Sequence, residues 1–123
     1  MSLEVFKRET VKSFESMNKA VFVGVPITIT TNGNSVVAKY ENSYLKFEYE
    51  TDTTTLVSFK AGRGAEEEEY GELDARTASD LLQMMTQTYV HLMVLIVYLV
   101  GDASVGSETS ARRLMRTAKN FSR

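Results

Sequence analysis

The residues best placed to do chemistry stand near the end of the chain: Arg112, Arg113, Arg116 and Lys119. On a helix Arg112 and Arg116 share a face, with Lys119 beside Arg116 and Arg113 within reach of it. A guanidinium fork meets phosphate oxygens two at a time, so several on one face make an anion clamp for a nucleotide or a nucleic acid. A plainer account needs no ligand: basic residues in a last turn complement the helix macrodipole, which covers Lys119 and Arg123. In a third, this helix docks onto the chain's own acidic stretch. A second set is Lys39, Lys46 and Lys60 with Tyr44. If these lie on the outward face of a sheet, they combine stacking and positive charge in the manner of single-strand binders. Glu41, Glu48 and Glu50 share those segments, and lysine is also an ordinary solubilising residue there.

The opposite charge gathers in the middle. Residues 48–80 hold ten acidic side chains against Lys60, Arg63 and Arg76, including an unbroken glutamate run at 66–69 followed by Glu72 and Asp74. Such a run serves as a docking strip for a basic partner or a mimic of nucleic-acid charge. It lacks the Asp/Asn/Gly spacing of a calcium loop, so specific metal binding is not expected of it. His91 follows Gln83 and Gln87 at helical spacing, a polar stripe that reads as a hydrogen-bonded seam between subunits. No acid or nucleophile is nominated beside it. Gly62-Arg63-Gly64 is too short for a phosphate loop and reads as a turn. With no cysteine, one histidine and no cofactor fingerprint, thiolate and multi-histidine metal sites are excluded. The expectation is a protein that is not an enzyme and carries no cofactor.

These side chains have to be positioned by one domain, since 123 residues with 43% hydrophobic and 24% charged content suit a single packed core. The net charge of −2 carries no global argument about polyanions. With mixed charges and no apolar stretch among the first residues, no secretory signal is expected, and together with the missing cysteines the expected compartment is the cytoplasm.

Residues 21–31 place Val or Ile at every odd position from Val21 to Ile29, which predicts a strand with one buried face. Pro26, on the other parity, marks it as an edge strand. Asn32-Gly33 is a hairpin signal. A two-residue loop there sets Ile29 opposite Val36, Ile27 opposite Ala38 and Val25 opposite Tyr40. A strand over 35–41 then turns at Asn42-Ser43 into one over 44–50, matching Tyr40 with Leu45, Ala38 with Phe47 and Val36 with Tyr49. A loop through Thr51, Asp52 and Thr53 leads to a strand over 55–60, with Val57 opposite Phe47 and Phe59 opposite Leu45. Apolar parity agrees in all three pairings. On the outward face, Lys39 falls opposite Lys46, and Tyr44 lies near Lys60.

An amphipathic helix is predicted over 3–18 from Phe6, Val11, Phe14 and Met17. After the four-stranded meander, 61–76 reads as an acidic loop. Thr77 with Asp80 opens a helix over 77–100, and a short basic helix follows over 107–120. Residues 92–100 are apolar all round, and such a helix must be surrounded. The simplest cover is a second copy, so a homodimer or larger oligomer built on 92–100 is expected. A membrane span over 81–100 is disfavoured by Gln83, Thr86, Gln87 and His91. In element order alone, a four-stranded meander followed by a dimerising helix resembles the whirly-type and transcription-coactivator-type single-strand DNA binders, with no shared motif.

The sequence therefore predicts an α+β, two-layer, oligomeric protein. Its expected function is capture of an anionic ligand through Arg112, Arg113, Arg116 and Lys119, aided by Lys39, Lys46, Lys60 and Tyr44. The alternative is a protein-interaction module, an inhibitor or assembly adaptor, whose recognition element is the acidic stretch 61–76.

Overall fold

The computed structural model describes residues 1–50 and 56–97. Over these the chain is α+β: an N-terminal helix, five antiparallel strands in sequential order, and a second helix. Helix α1, Leu3–Val21, is capped by the Ser2 side chain, which accepts from the Val5 amide at 3.2 Å. Phe6, Thr10 and Phe14 recur every fourth residue and form its buried stripe. The strands are β1 Thr28–Asn32, β2 Ser35–Tyr40, β3 Ser43–Tyr49, β4 Leu56–Arg63 and β5 Glu66–Asp74. Helix α2, Ala78–Leu95, begins as its cap signal predicts, with the Thr77 hydroxyl oxygen accepting from the Asp80 amide at 3.1 Å.

The helices share one face of the sheet, and the core lies between. Phe14 is its hinge point: its ring stacks on Tyr89 at 4.0 Å between centroids and meets Phe47 edge-on at 5.2 Å, joining α1 to both α2 and β3. The buried Tyr89 hydroxyl donates to Asn18 Oδ1 at 2.6 Å, so its polar atom is satisfied. Burial raises the Tyr89 pKa well above the ordinary phenol value and keeps it neutral. Phe6 stacks on Tyr49 at 5.3 Å, and the Tyr49 hydroxyl donates to the Met1 carbonyl.

Three expectations are corrected. First, 21–31 is not one strand. Val21 ends α1, Phe22 caps it, and only Thr28–Asn32 is extended in the sheet. The burial parity inverts before it: Phe22 is 1% exposed and meets Tyr89 edge-on, while Val21 and Val23 are 45% and 77% exposed. Gly24 at φ +79° and Pro26 break the extended chain here, and the large Phe22 ring wins the core position. β1 is an edge strand, as the proline argument required, although Pro26 lies outside it.

Second, the expected pairings that fall within the strands keep their parity but slide by two residues, whereas Val25 and Ile27, expected opposite Tyr40 and Ala38, precede β1 and lie outside its ladder. Ile29 faces Ala38, Leu45 faces Ala38 on its other side, Phe47 faces Val36, and Phe59 faces Phe47. The hairpin loops are Gly33-Asn34 and Glu41-Asn42, with Gly33 at φ +59° and Glu41 at φ +53°. Alternation decides which face is buried; a slide of two leaves every face unchanged, so only the turn geometry sets it.

Third, 61–76 is no loop. β4 runs on to Arg63, a two-residue turn with Gly64 at φ +62° reverses the chain, and β5 completes a fifth strand. A β-bulge conceals it from a period-two reading: Phe59 pairs with Gly71 and Lys60 with Glu69, leaving Tyr70 as the extra residue. Tyr70 and Leu73, three apart, are thereby both buried. At Gly71 a Cβ would lie 2.6 Å from the Phe59 ring, so glycine is what lets the bulge close onto the core.

Of the expected helix over 77–100, the described part is α2 with Ile96 and Val97 beyond it. Leu92, Met93, Ile96 and Val97 are buried within the single chain, and Val94 and Leu95 are half-buried against its core. Among the described residues no helix is long and apolar enough to cross a membrane. The expected helix over 107–120 and residues 98–100 lie outside the described residues.

Candidate surface on the outer face of the sheet

The face of the sheet turned away from the helices carries most of the described polar candidates, in rows set by the register. One row runs Thr28, Lys39, Tyr44, Gly62, Glu67; the next runs Thr30, Val37, Lys46, Lys60, Glu69; the third runs Asn32, Ser35, Glu48, Ser58, Glu72. Three of the expected ligand-binding residues, Tyr44, Lys46 and Lys60, thus lie together at the centre, with Lys39 exposed at its side. Their expected pairing is corrected by the two-residue slide: Lys39 stands opposite Tyr44, and Lys46 opposite Lys60.

Directly opposed lysines repel, and the face answers with carboxylates. Glu48 reaches Lys60 at 3.3 Å and Lys46 at 3.9 Å. Glu67, arriving from β5, takes Lys46 at 3.0 Å and accepts the Tyr44 hydroxyl at 2.5 Å. These side chains retain 23–31% of their exposure, so the network lies along the surface and is partly screened by solvent. Burial, reinforced by the hydrogen bond to Glu67 and its charge, pushes the Tyr44 phenol up to about 12. The same hydrogen bond, followed by the contact with Lys46, holds Glu67 below the usual carboxylate range. Near neutrality Tyr44 stays protonated and Glu67 ionised, so this pair positions charge and does not exchange protons.

Gly62 makes the arrangement possible. A Cβ there would collide with the Tyr44 ring and sit 2.6 Å from the Glu66 carbonyl oxygen. The ring therefore lies across a bare patch of β4 and presents its hydroxyl to Glu67. The expected turn role of Gly62 is accordingly replaced by one inside the strand. Glu67 itself is the residue that sequence reasoning missed as a specific partner, because its strand went unseen behind the bulge.

Charge is graded across this face. β1 contributes none, and Lys39, Lys46 and Lys60 cross the middle. β5 presents Glu67, Glu69 and Glu72 outward, all exposed. Glu69 and Glu72 make no ion pair among the described residues. Glu68, on the core-side parity, accepts the Tyr70 hydroxyl at 2.8 Å. At the end of β4, Arg63 has its Nη1 buried without a hydrogen-bond partner among the described residues. No group of three or more acidic or histidine side chains is placed to hold a metal ion among the described residues. On α2, Gln83, Gln87 and His91 form an exposed stripe, and His91 Nδ1 lies 2.8 Å from the Gln87 carbonyl oxygen. A carbonyl only accepts, so Nδ1 carries the proton. Arg112, Arg113, Arg116 and Lys119 lie outside the described residues. The chain matches no family model, no curated protein and no solved structure.

Proposed function

We propose that this protein is a non-enzymatic protein-interaction module whose recognition element is the acidic outer side of β5. It takes an extended, basic segment of a partner protein. The observation that carries this reading is the contrast within the outer face: its central lysines, Lys46 and Lys60, are paired with Glu48 and Glu67, while Glu69 and Glu72 stand exposed on an edge strand. Held on a hydrogen-bonded strand, the carboxylates recur at fixed strand spacing, which a flexible loop would not maintain. Their ordering cost is met by the fold before a partner arrives. A basic extended segment meets this spacing with its own period of two.

The test uses the full chain and two labelled probes, a synthetic peptide of alternating lysine and valine and a single-stranded oligonucleotide. Fluorescence anisotropy is expected to show peptide binding that weakens with added salt. The Glu69→Lys/Glu72→Lys variant should lose at least tenfold in affinity with an unchanged unfolding midpoint. Absence of peptide binding overturns the reading. Oligonucleotide binding abolished by Arg112→Glu/Arg116→Glu would put anion capture by the C-terminal basic residues in its place.

A further inference from the structure

Among the described residues, the two edges of the sheet are protected very differently. β5 carries Glu66, Glu67, Glu68, Glu69 and Glu72 along its length, the kind of charge that keeps an edge from pairing with a copy of itself. β1 carries no charge at all: its sequence is Thr-Ile-Thr-Thr-Asn, four consecutive β-branched residues and an asparagine, with neither proline nor bulge inside the strand. All but Ile29 are exposed, and the opposite side of the strand pairs with β2. Ahead of this edge in the chain stand Val21, the last residue of α1, and Val23, the large hydrophobics that the described residues leave exposed.

We infer that β1 is the interface with a second copy of this chain, pairing antiparallel with the partner's β1 across a twofold axis to make one continuous sheet. The strand is suited to itself. In a register centred on Thr30, Thr30 meets its own equivalent, Thr28 meets Asn32 and Ile29 meets Thr31. Every cross-strand pair is then neutral, and the outer-face pairs can hydrogen-bond. A twofold contact uses the same patch on both copies, and the register centred on Thr30 meets that requirement. It also leaves the two acidic β5 edges at the far ends of the joined sheet, where their charges do not oppose each other. This places the expected self-association on an edge strand and leaves the exposed stripe of α2 outside it.

Native mass spectrometry and light scattering of the full chain at micromolar concentration test the interface. The wild-type protein should have twice the monomer mass. Thr30→Lys and Thr30→Glu, surface changes on the outer face, should each be monomeric with an unchanged circular dichroism spectrum. Their equimolar mixture should regain the dimer mass as a heterodimer, because opposite charges then face each other across the axis. His91→Glu, on the α2 stripe, should leave the dimer intact. A monomeric wild type overturns the proposal, as does a Thr30→Lys variant that stays dimeric. Loss of the dimer in His91→Glu alone also overturns it, by moving the interface to α2. None of these outcomes depends on whether a basic peptide binds β5, so the two proposals fail separately.

Discussion

The two faces of the sheet use the same five strands to opposite ends. On the helix side Val36, Leu45, Phe47, Val57 and Phe59 are buried against Phe6, Phe14 and Tyr89, and the pairing is by shape and aromatic geometry. On the outer side Tyr44, Lys46, Glu48, Lys60 and Glu67 pair by charge, partly exposed and partly screened. Removing apolar area from water stabilises in proportion to the area hidden, whereas a surface ion pair gains little over its hydrated alternatives. Stability should therefore reside almost wholly on one face, leaving the other open to change.

The sharpest way to break this comparison is Phe14→Ala. It removes the ring that links α1, α2 and β3, and should cost about 3–5 kcal/mol in denaturant unfolding. A smaller loss, about 1–3 kcal/mol, is expected for Gly71→Ala, because the added Cβ presses on the buried Phe59 ring at the bulge. The same measurement on Gly24→Ala would separate the two kinds of glycine, since Gly24 has open space and only its positive φ to lose. Thr77→Ala should cost about 1 kcal/mol through the lost cap of α2, visible in the thermal midpoint.

The outer face should register least. Glu67→Gln is expected to cost about 0.5 kcal/mol at neutral pH, the scale of a partly screened pair. The sign with pH is definite. Glu67 is held below the usual carboxylate range, so its contribution is present above that range and fades as pH falls through its lowered value. Stability curves of the wild type and Glu67→Gln should converge in acid. At the alkaline end Tyr44 resists ionisation, so the wild type should lose stability relative to Tyr44→Phe between the ordinary value of 10.0 and about 12. A Glu67→Gln penalty as large as that of Phe14→Ala would mean that the charged network helps hold the fold, and the division between the faces would fall.

Much of the fold was legible in particular residues. Alternation in Val36, Ala38, Leu45, Phe47, Val57 and Phe59 named the buried face of three strands, because a period of two admits no other assignment. Thr77 and Asp80 located the start of α2, since a cap is a local hydrogen bond between near neighbours. The lysines and tyrosine of the outer face were legible as a group for the same reason of parity. Their partners were not. Glu67 lies 23 residues from Tyr44 in the chain, and only a strand hidden by a bulge brings them together.

What the sequence determined by itself, then, was the set of side chains on each face and the points where local hydrogen bonding starts a helix. Both follow from periodicities and contacts spanning a few residues. The tertiary structure alone decided the rest. It chose Phe22 over Val21 and Val23 for the core, slid each strand by two residues, and drew the glutamate run into β5 beside Tyr44 and Lys46. Each of these is a competition between alternatives with equal local merit: a slide of two preserves every face, and a glutamate run is as soluble in a loop as on an edge. The deciding terms are the volume available around Tyr89 and Phe59, and the turns that Gly33, Glu41 and Gly64 close at positive φ. They exist only once distant parts of the chain have met.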